Sequence, residues 1–256
     1  MTRARIIPVL LLGDGGLVKT VRFGKRRYVG DPINAVRIFN DKEVDELVLL
    51  DIDATAEGRS PNFAHVEEIL SEAFMPVGYG GGVRSMADVE RLFKLGVEKV
   101  VMNSILAESP QLLADASKAF GSQSVVASVD VKKDLLGRHR AYTHGGTRRL
   151  AGDFRDHLKR WQDLGAGEVA LNSIDRDGTR AGLDVDLIRS VSSSLSVPLL
   201  AVGGAGTVEH LIDALRHGAS AVGAGSMFVF IGVHQAVLIN YVERSAFDLL
   251  NSAIHD

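Results

Sequence analysis

The chain has 256 residues, 46% of them hydrophobic and 24% charged, with a formal net charge of −3. That length suits one large domain, residues 1–256, better than two small ones, and the near-neutral balance excludes a global field for nucleic acid or membrane. Cysteine is absent, which excludes disulfides and thiol nucleophiles and fits a cytoplasmic protein.

The chain opens MTRARIIPVLLLGDGG. No small-residue cleavage site follows the apolar run, so it reads as a buried first strand rather than a signal peptide. No run approaches the ~20 apolar residues of a membrane span. Short apolar runs then alternate with helical patterns. The predicted strands are Arg5–Leu12, Glu46–Asp53, Pro76–Tyr79, Lys99–Asn103, Val125–Asp130, Glu168–Ile174, Pro198–Val202 and Ala221–Gly225. Runs such as LVLLDI, VVASV and VPLLAV lack polar alternation, as parallel strands buried on both faces do. Asp31-Pro32 and Ser60-Pro61 each predict an N-cap before a proline at the first helical position. Ser85 to Asp88 forms a capping-box pattern, and Thr207 caps VEHLIDALRHG, which Gly218 stops.

Asp45–Ser104 and Gly167–Ser226 align without a gap at an offset of 122. Asp53 falls on Asp175, Pro76 on Pro198, Gly81-Gly82 on Gly203-Gly204, Gly96 on Gly218 and Ser104 on Ser226. Matched Gly and Pro hold special backbone positions, so the shared feature is shape. Two copies of a half-barrel closing on each other predict an α/β fold, the (β/α)₈ TIM barrel. An open doubly wound sheet is the rival, and the repeat disfavours it because each half buries the other's edge.

Two long loops follow strands one and five, on the active face of such a barrel. Gly13–Gly30 carries Lys19, Arg22, Lys25, Arg26 and Arg27 among five glycines. It reads as a basic, flexible lid over an anionic substrate, or else as a solvated charged loop. Val131–Leu150 reads as a small hairpin.

The Gly-Gly pairs close strands three and seven, while Asn103-Ser104 and Gly225-Ser226 close strands four and eight. Glycine lets a phosphate approach the backbone, and hydroxyl and helix-terminal N–H groups supply donors. The repeat implies two such sites, spanned by a substrate with a phosphate at each end; the plainer reading is tight strand–helix turns. Asp130 ends strand five on the face of Val126 and Ser128, a general acid/base candidate. Its half-barrel counterpart is Leu11, with Asp14 three residues on. Asp51, Asp53, Asp175 and Asp177 are further strand-end carboxylates. At the opposite face Arg5, Glu46, Lys99 and Glu168 start strands; solvated strand starts are the simpler account of their spacing. The eight His show no metal-ligand spacing, and no cofactor is implied. His144, His157 and His234 read as surface or loop residues, and Trp161 as packing.

Over nearly its whole length the chain resembles the cyclase subunit of imidazole glycerol phosphate synthase. RIIPVLLLGDGGLVKT, GGGVRSMADVERLFKLGVEKVVMNS, FGSQSVVASVD, GAGEVALNSIDRDGT and GGAGTVEHLIDAL carry the resemblance. It implies a two-fold barrel that takes ammonia from a glutaminase docked at the barrel bottom and uses it on a bis-phosphorylated substrate at the top. It puts phosphate contacts on Gly82, Asn103, Ser104, Asp177, Gly178, Gly204, Gly225 and Ser226. It makes Arg5, Glu46, Lys99 and Glu168 an ammonia gate, and one catalytic aspartate Asp130. The other falls on Leu11, which cannot move a proton, so Asp14 is the remaining substitute. A branch with a similar first strand and GGLVKT is associated with acetamidino groups on sugars of bacterial surface polysaccharides, where it would deliver glutamine-derived ammonia with a glutaminase and a separate amidotransferase protein; the substrate would be bis-phosphorylated or a nucleotide sugar, which also carries paired phosphates. The resemblance therefore implies an ammonia-using synthase or amidotransferase subunit of that branch. The alternatives are cyclase activity in histidine biosynthesis, a related sugar-phosphate isomerase without a glutaminase, and a non-catalytic ammonia channel that activates the glutaminase.

Overall fold

A computed structural model describes residues 4–252. Eight strands form the barrel: β1 Arg5–Gly13, β2 Leu47–Asp51, β3 Val77–Gly80, β4 Lys99–Met102, β5 Val125–Lys133, β6 Glu168–Ser173, β7 Leu199–Val202 and β8 Ala221–Ala224. Each pairs in parallel with the next, and β8 pairs with β1, so the sheet closes. The barrel has no open edge, and the doubly wound alternative is excluded.

Outside the strands lie α1 Pro32–Asp41, α2 Phe63–Leu70, α3 Met86–Lys94, α4 Gln111–Phe120, α5 Phe154–Asp163, α6 Val185–Ser192, α7 Val208–Arg216 and α8 Arg244–Ser252. Asp31 caps α1, Ser85 and Asp88 form a complete capping box on α3, and Thr207 caps α7. The expected Ser60 cap is corrected: α2 starts later, capped by Asn62 through the His65 amide. Arg59 is tied to Asp51, and the Arg59 carbonyl and Pro61 nitrogen press on Gly82. That anchor holds residues 59–61 against β3 before the helix can begin.

Parity along the strands separates two cores. Outward residues such as Ile6, Leu47, Leu49 and Val100 pack under the helices with Phe39, Trp161 and Phe228. Inward residues Ile7, Val9, Val48, Val101, Val126, Ala170, Leu200 and Ala221 fill the barrel axis. Trp161 is thus a packing residue.

The segment expected as a flexible lid is an ordered ribbon. Gly16–Lys19 runs antiparallel to the end of β1, and Arg27–Gly30 runs antiparallel to it in turn. The second long loop is a hairpin, as expected: β5 turns back through His139–Thr143, with Arg148–Arg149 alongside.

Candidate active site

A cavity of about 480 Å³ occupies the barrel axis and its C-terminal mouth. Its lining reaches from Glu46, Lys99 and Glu168 at one end to Asn103, Ser104, Asp130, Gly225 and Ser226 at the other. Strand parity makes this one line of sight: Glu168, Ala170 and Asn172 of β6, and Val126, Ser128 and Asp130 of β5, all face it. Between the charged floor and Asp130 the walls are chiefly aliphatic, with the Ser128 hydroxyl among them.

The floor is a closed ring of four charges. Lys99 Nζ lies 2.7 Å from Glu46 and 3.0 Å from Glu168; Arg5 reaches Glu46 at 3.1 Å and also pairs with Glu168. Each cation therefore bridges both carboxylates. Solvated strand starts are the wrong account of these residues, because both glutamates are buried. Buried carboxylates persist only when paired.

Asp130 is buried at the upper end of β5. Its two oxygens accept from Asn103 Nδ2 at 2.8 Å and Asn172 Nδ2 at 3.0 Å. Burial pushes its carboxyl up to about 6; the two amides pull it down, and nearby Asp177 adds to the rise. A carboxyl poised there can hold or release a proton near neutral pH. Leu11 lines the same cavity, and its side chain has no titratable group.

At the mouth the two half-barrels present matched turns. Gly81 and Gly203 have φ of 107° and 95°, a region open to glycine. Gly81 also lies so close to β2 that a Cβ would sit 2.1 Å from the Asp51 carbonyl. The tight-turn reading therefore holds for these glycines. It is compatible with a ligand site, since the short helices Ser104–Glu108 and Ser226–Val229 begin at the same corners. Gly82, Gly178 and Gly204 line the cavity with them.

The ribbon crosses the mouth. Lys19 is buried, with Nζ 3.3 Å from Asp177, and Thr20 Oγ1 donates to the same carboxylate at 3.2 Å. Arg22 donates from its backbone to the Asp177 carbonyl and from Nε to the Asp175 carbonyl. Phe23 rests on Gly146 of the β5 hairpin. The ribbon thus touches both the loop after β6 and the hairpin, and Lys19 and Arg22 are already engaged. Asp14 is not brought to Asp130. Its carboxylate faces solvent and Arg26, which also holds Asp53. Asp51 holds Arg59 and the amides of Asp53 and Ala54, while Asp175 takes the Lys133 amide. These carboxylates fix loops.

Sequence reasoning missed Asn172 and His144. Asn172 was findable, since it stands four residues after Glu168 on the same face. His144 is not a mere surface residue: it lines the cavity, and its backbone N–H donates to Ser104 Oγ at 2.9 Å. Nothing in its spacing signals this. His157 does lie outside the cavity, against the Ala151 carbonyl and Trp161. His234 lies in the exposed turn between Phe230–Ile231 and Ala236–Val237. Among the described residues no group of three His, Asp or Glu could hold a metal ion, and no helix is long and apolar enough to cross a membrane.

The chain is similar in sequence to known proteins over most of its length. A family described as histidine biosynthesis protein matches residues 5–234. A Pseudomonas aeruginosa protein named "Putative imidazole glycerol phosphate synthase subunit hisF2" is 48% identical over 97% of this chain and 100% of its own length. A Leptospira borgpetersenii protein named as such a HisF subunit is 46% identical over 94% of this chain and 96% of its own. The Mycobacterium tuberculosis "Imidazole glycerol phosphate synthase subunit HisF" is 41% identical over 88% of this chain and 87% of its own. The chain belongs to the histidine biosynthesis protein family, as a member similar to the HisF subunit of imidazole glycerol phosphate synthase.

Proposed function

We propose that this chain is an ammonia-using synthase subunit. A glutaminase docks at the barrel bottom. Ammonia enters through the ring of Arg5, Glu46, Lys99 and Glu168, passes the aliphatic axis and reaches the mouth. There it meets a substrate carrying two phosphates. One phosphate binds at Gly82, Asn103 and Ser104. The other binds at Asp177, Gly178, Gly204, Gly225 and Ser226. Lys19 and Arg22 belong to the ribbon that covers the substrate. Asp130 is the acid/base group. Asp14 drops out of this role, because its carboxylate is held at the surface by Arg26.

The observation that carries the reading is the shared cavity, whose lining includes the charged floor and Asp130 together. Ammonia is small and neutral, and an aliphatic passage excludes the water that would compete with it. A sugar-phosphate isomerase needs no such floor.

The choice of branch rests on Leu11 together with the resemblance of the first strand and GGLVKT. General acid–base help is worth roughly 10²–10⁴-fold, and Leu supplies none. We assign the chain to the supply of ammonia for amidine formation on sugars of surface polysaccharides, a reaction that needs no ring-closing chemistry. Cyclase activity in histidine biosynthesis is the second reading, favoured by the name of the Mycobacterium tuberculosis relative. A channel that only activates the glutaminase is the third.

Reconstitution with the glutaminase tests the channel. Lys99→Ala is expected to uncouple glutamine hydrolysis from nitrogen transfer while leaving transfer from added ammonium intact. Unchanged coupling would sink the proposal.

A further inference from the structure

The whole-chain charge of −3 hides one strongly basic segment. Residues 132–149, the hairpin that continues β5, hold six Lys or Arg and one Asp, a local net charge of +5. Val131 is the last residue of β5 paired with β6, and beyond it the strand pairs only with the returning strand of its own hairpin. At about 3.3 Å per residue, Leu135 stands up to roughly 13 Å past that pairing. The apex is apolar and pinned. Leu135 is 106% exposed and Leu136 74% exposed, and neither joins an apolar core. The Asp134 carboxylate accepts the amides of Leu136 at 2.9 Å and Arg138 at 3.0 Å, and the Asp134 N–H donates to the Arg138 carbonyl at 2.8 Å. Single exposed leucines are ordinary; two in sequence at the tip of a fastened turn are not. The cations behind them do not serve the fold. Lys132 stands directly opposite Arg140 in the ladder, and Lys133 opposite His139. Like charges so placed destabilise a strand pair. Asp134 offsets part of this by pairing with Arg138 and Arg140, and Lys133 reaches Asp184 at 3.7 Å. Lys132, Arg138, Arg148 and Arg149 nevertheless stay exposed.

We propose that this hairpin tip is a membrane anchor: Leu135 and Leu136 enter the interface of an anionic lipid bilayer, and the collar of Lys132, Arg138, Arg148 and Arg149 binds its headgroups. The proposal is independent of the reaction in the cavity. A short apolar tip alone holds a protein to a bilayer only weakly, and basic residues beside an anionic surface add to the attraction, so the two together make a reversible anchor. Such a tip needs to reach only roughly 5–10 Å into the headgroup and acyl boundary, which the projection of the hairpin allows. The charge is also one-sided. Outside residues 132–149 the chain carries −8, so an anionic surface attracts the hairpin and repels the rest. That difference turns the C-terminal mouth of the barrel toward the bilayer. Nucleic acid would engage the cations and leave the leucines in water. An acidic protein is a poorer fit, because a standard interface covers roughly 800 Å² on each side and a convex apex of two leucines offers no such face.

The test is flotation of the full chain with vesicles of phosphatidylcholine, alone or with about a quarter phosphatidylglycerol, at physiological salt. Wild type is compared with a Leu135→Ser, Leu136→Ser double variant, a Lys132→Glu, Arg149→Glu double variant, and Leu136→Trp. All these side chains are exposed, so thermal unfolding is expected to stay unchanged. Wild type is expected to float with the anionic vesicles and stay behind with the neutral ones. Each double variant is expected to lose at least about tenfold in partitioning. Leu136→Trp is expected to show blue-shifted emission on the anionic vesicles, above the constant background of the buried Trp161. No flotation of wild type overturns the proposal and leaves an acidic protein as the partner of the hairpin. Equal flotation with neutral vesicles overturns it as well. So does flotation that survives loss of both leucines, or a Leu136→Trp emission that vesicles do not shift, because the charges alone would then account for binding.

Discussion

Leu11 holds in the first half-barrel the position that Asp130 holds in the second. Leu11 is in register with Leu50 of β2, and Asp130 with Asn172 of β6. Residues 50 and 172 are separated by the repeat offset of 122. The carboxylate–amide pair of one half is therefore a leucine–leucine pair in the other, so at this level the cavity wall is polar on β5 and β6 and apolar on β1 and β2.

Burial governs the protonation of Asp130. Its folded value of about 6 exceeds the ordinary aspartate value of 3.8 because burial penalises the charged form. A ¹³C-carboxyl NMR titration should place the midpoint near the higher value. Asn172→Leu deletes a donor to the ionised form and should move the midpoint higher still. A wild-type midpoint near the ordinary value would contradict the burial argument.

The same shift has a sign for stability. A carboxyl raised on folding contributes stability that is fully present below its unfolded pKa and is lost as pH rises through about 6. The loss amounts to at most about 3 kcal/mol. Denaturation of wild type and Asp130→Ser across pH should show the gap between them changing in that window. A gap independent of pH would mean that Asp130 titrates normally.

The ring at the floor should behave as a unit. Lys99→Ala leaves two buried glutamates sharing Arg5 alone. A cost of about 2–3 kcal/mol is expected in urea denaturation, less than the roughly 3–5 kcal/mol of breaking a fully buried pair, because Lys99 is partly exposed. Adding Glu168→Gln should recover part of it. Additive losses would show that the four charges do not form one network.

Glycine at the mouth is constrained by space as well as by torsion. Gly204 has φ 108°, and a Cβ there would lie 2.2 Å from the Gly182 carbonyl. Gly58 has φ 63° with nothing near. Gly204→Ala should cost several-fold more than Gly58→Ala, for which about 1–2 kcal/mol is expected from the left-handed backbone alone. Similar losses at both positions would remove the close-approach argument.

The barrel is legible in the sequence because its signals are local and repeated. Unbroken apolar runs mark two-sided burial, and the matched Gly-Gly, Gly96/Gly218 and Ser104/Ser226 positions mark equal turns. The floor residues need the family resemblance, since spacing alone leaves Arg5, Glu46, Lys99 and Glu168 as plain strand starts. The order of the ribbon is not legible, and its glycines and charges suggest a flexible lid instead. Its stability comes from contacts across the mouth, Thr20 and Lys19 to Asp177 and Phe23 to Gly146, which no local pattern encodes. Asp14 fails as a site residue for the converse reason: it is near Leu11 in sequence, but Arg26 turns its side chain outward. His144 reaches Ser104 only because the β5 hairpin folds back over β4.

The most direct measurement is turnover of the histidine-pathway bisphosphate with excess ammonium, for wild type and for Leu11→Asp. Added ammonium removes the need for a glutaminase. Silence in wild type with activity gained in Leu11→Asp is the expected result, because on the proposed reading both phosphate corners and Asp130 remain and the second carboxylate alone is missing. Clear turnover by wild type would contradict the assignment to surface sugars and make this chain a histidine enzyme that works with Leu11.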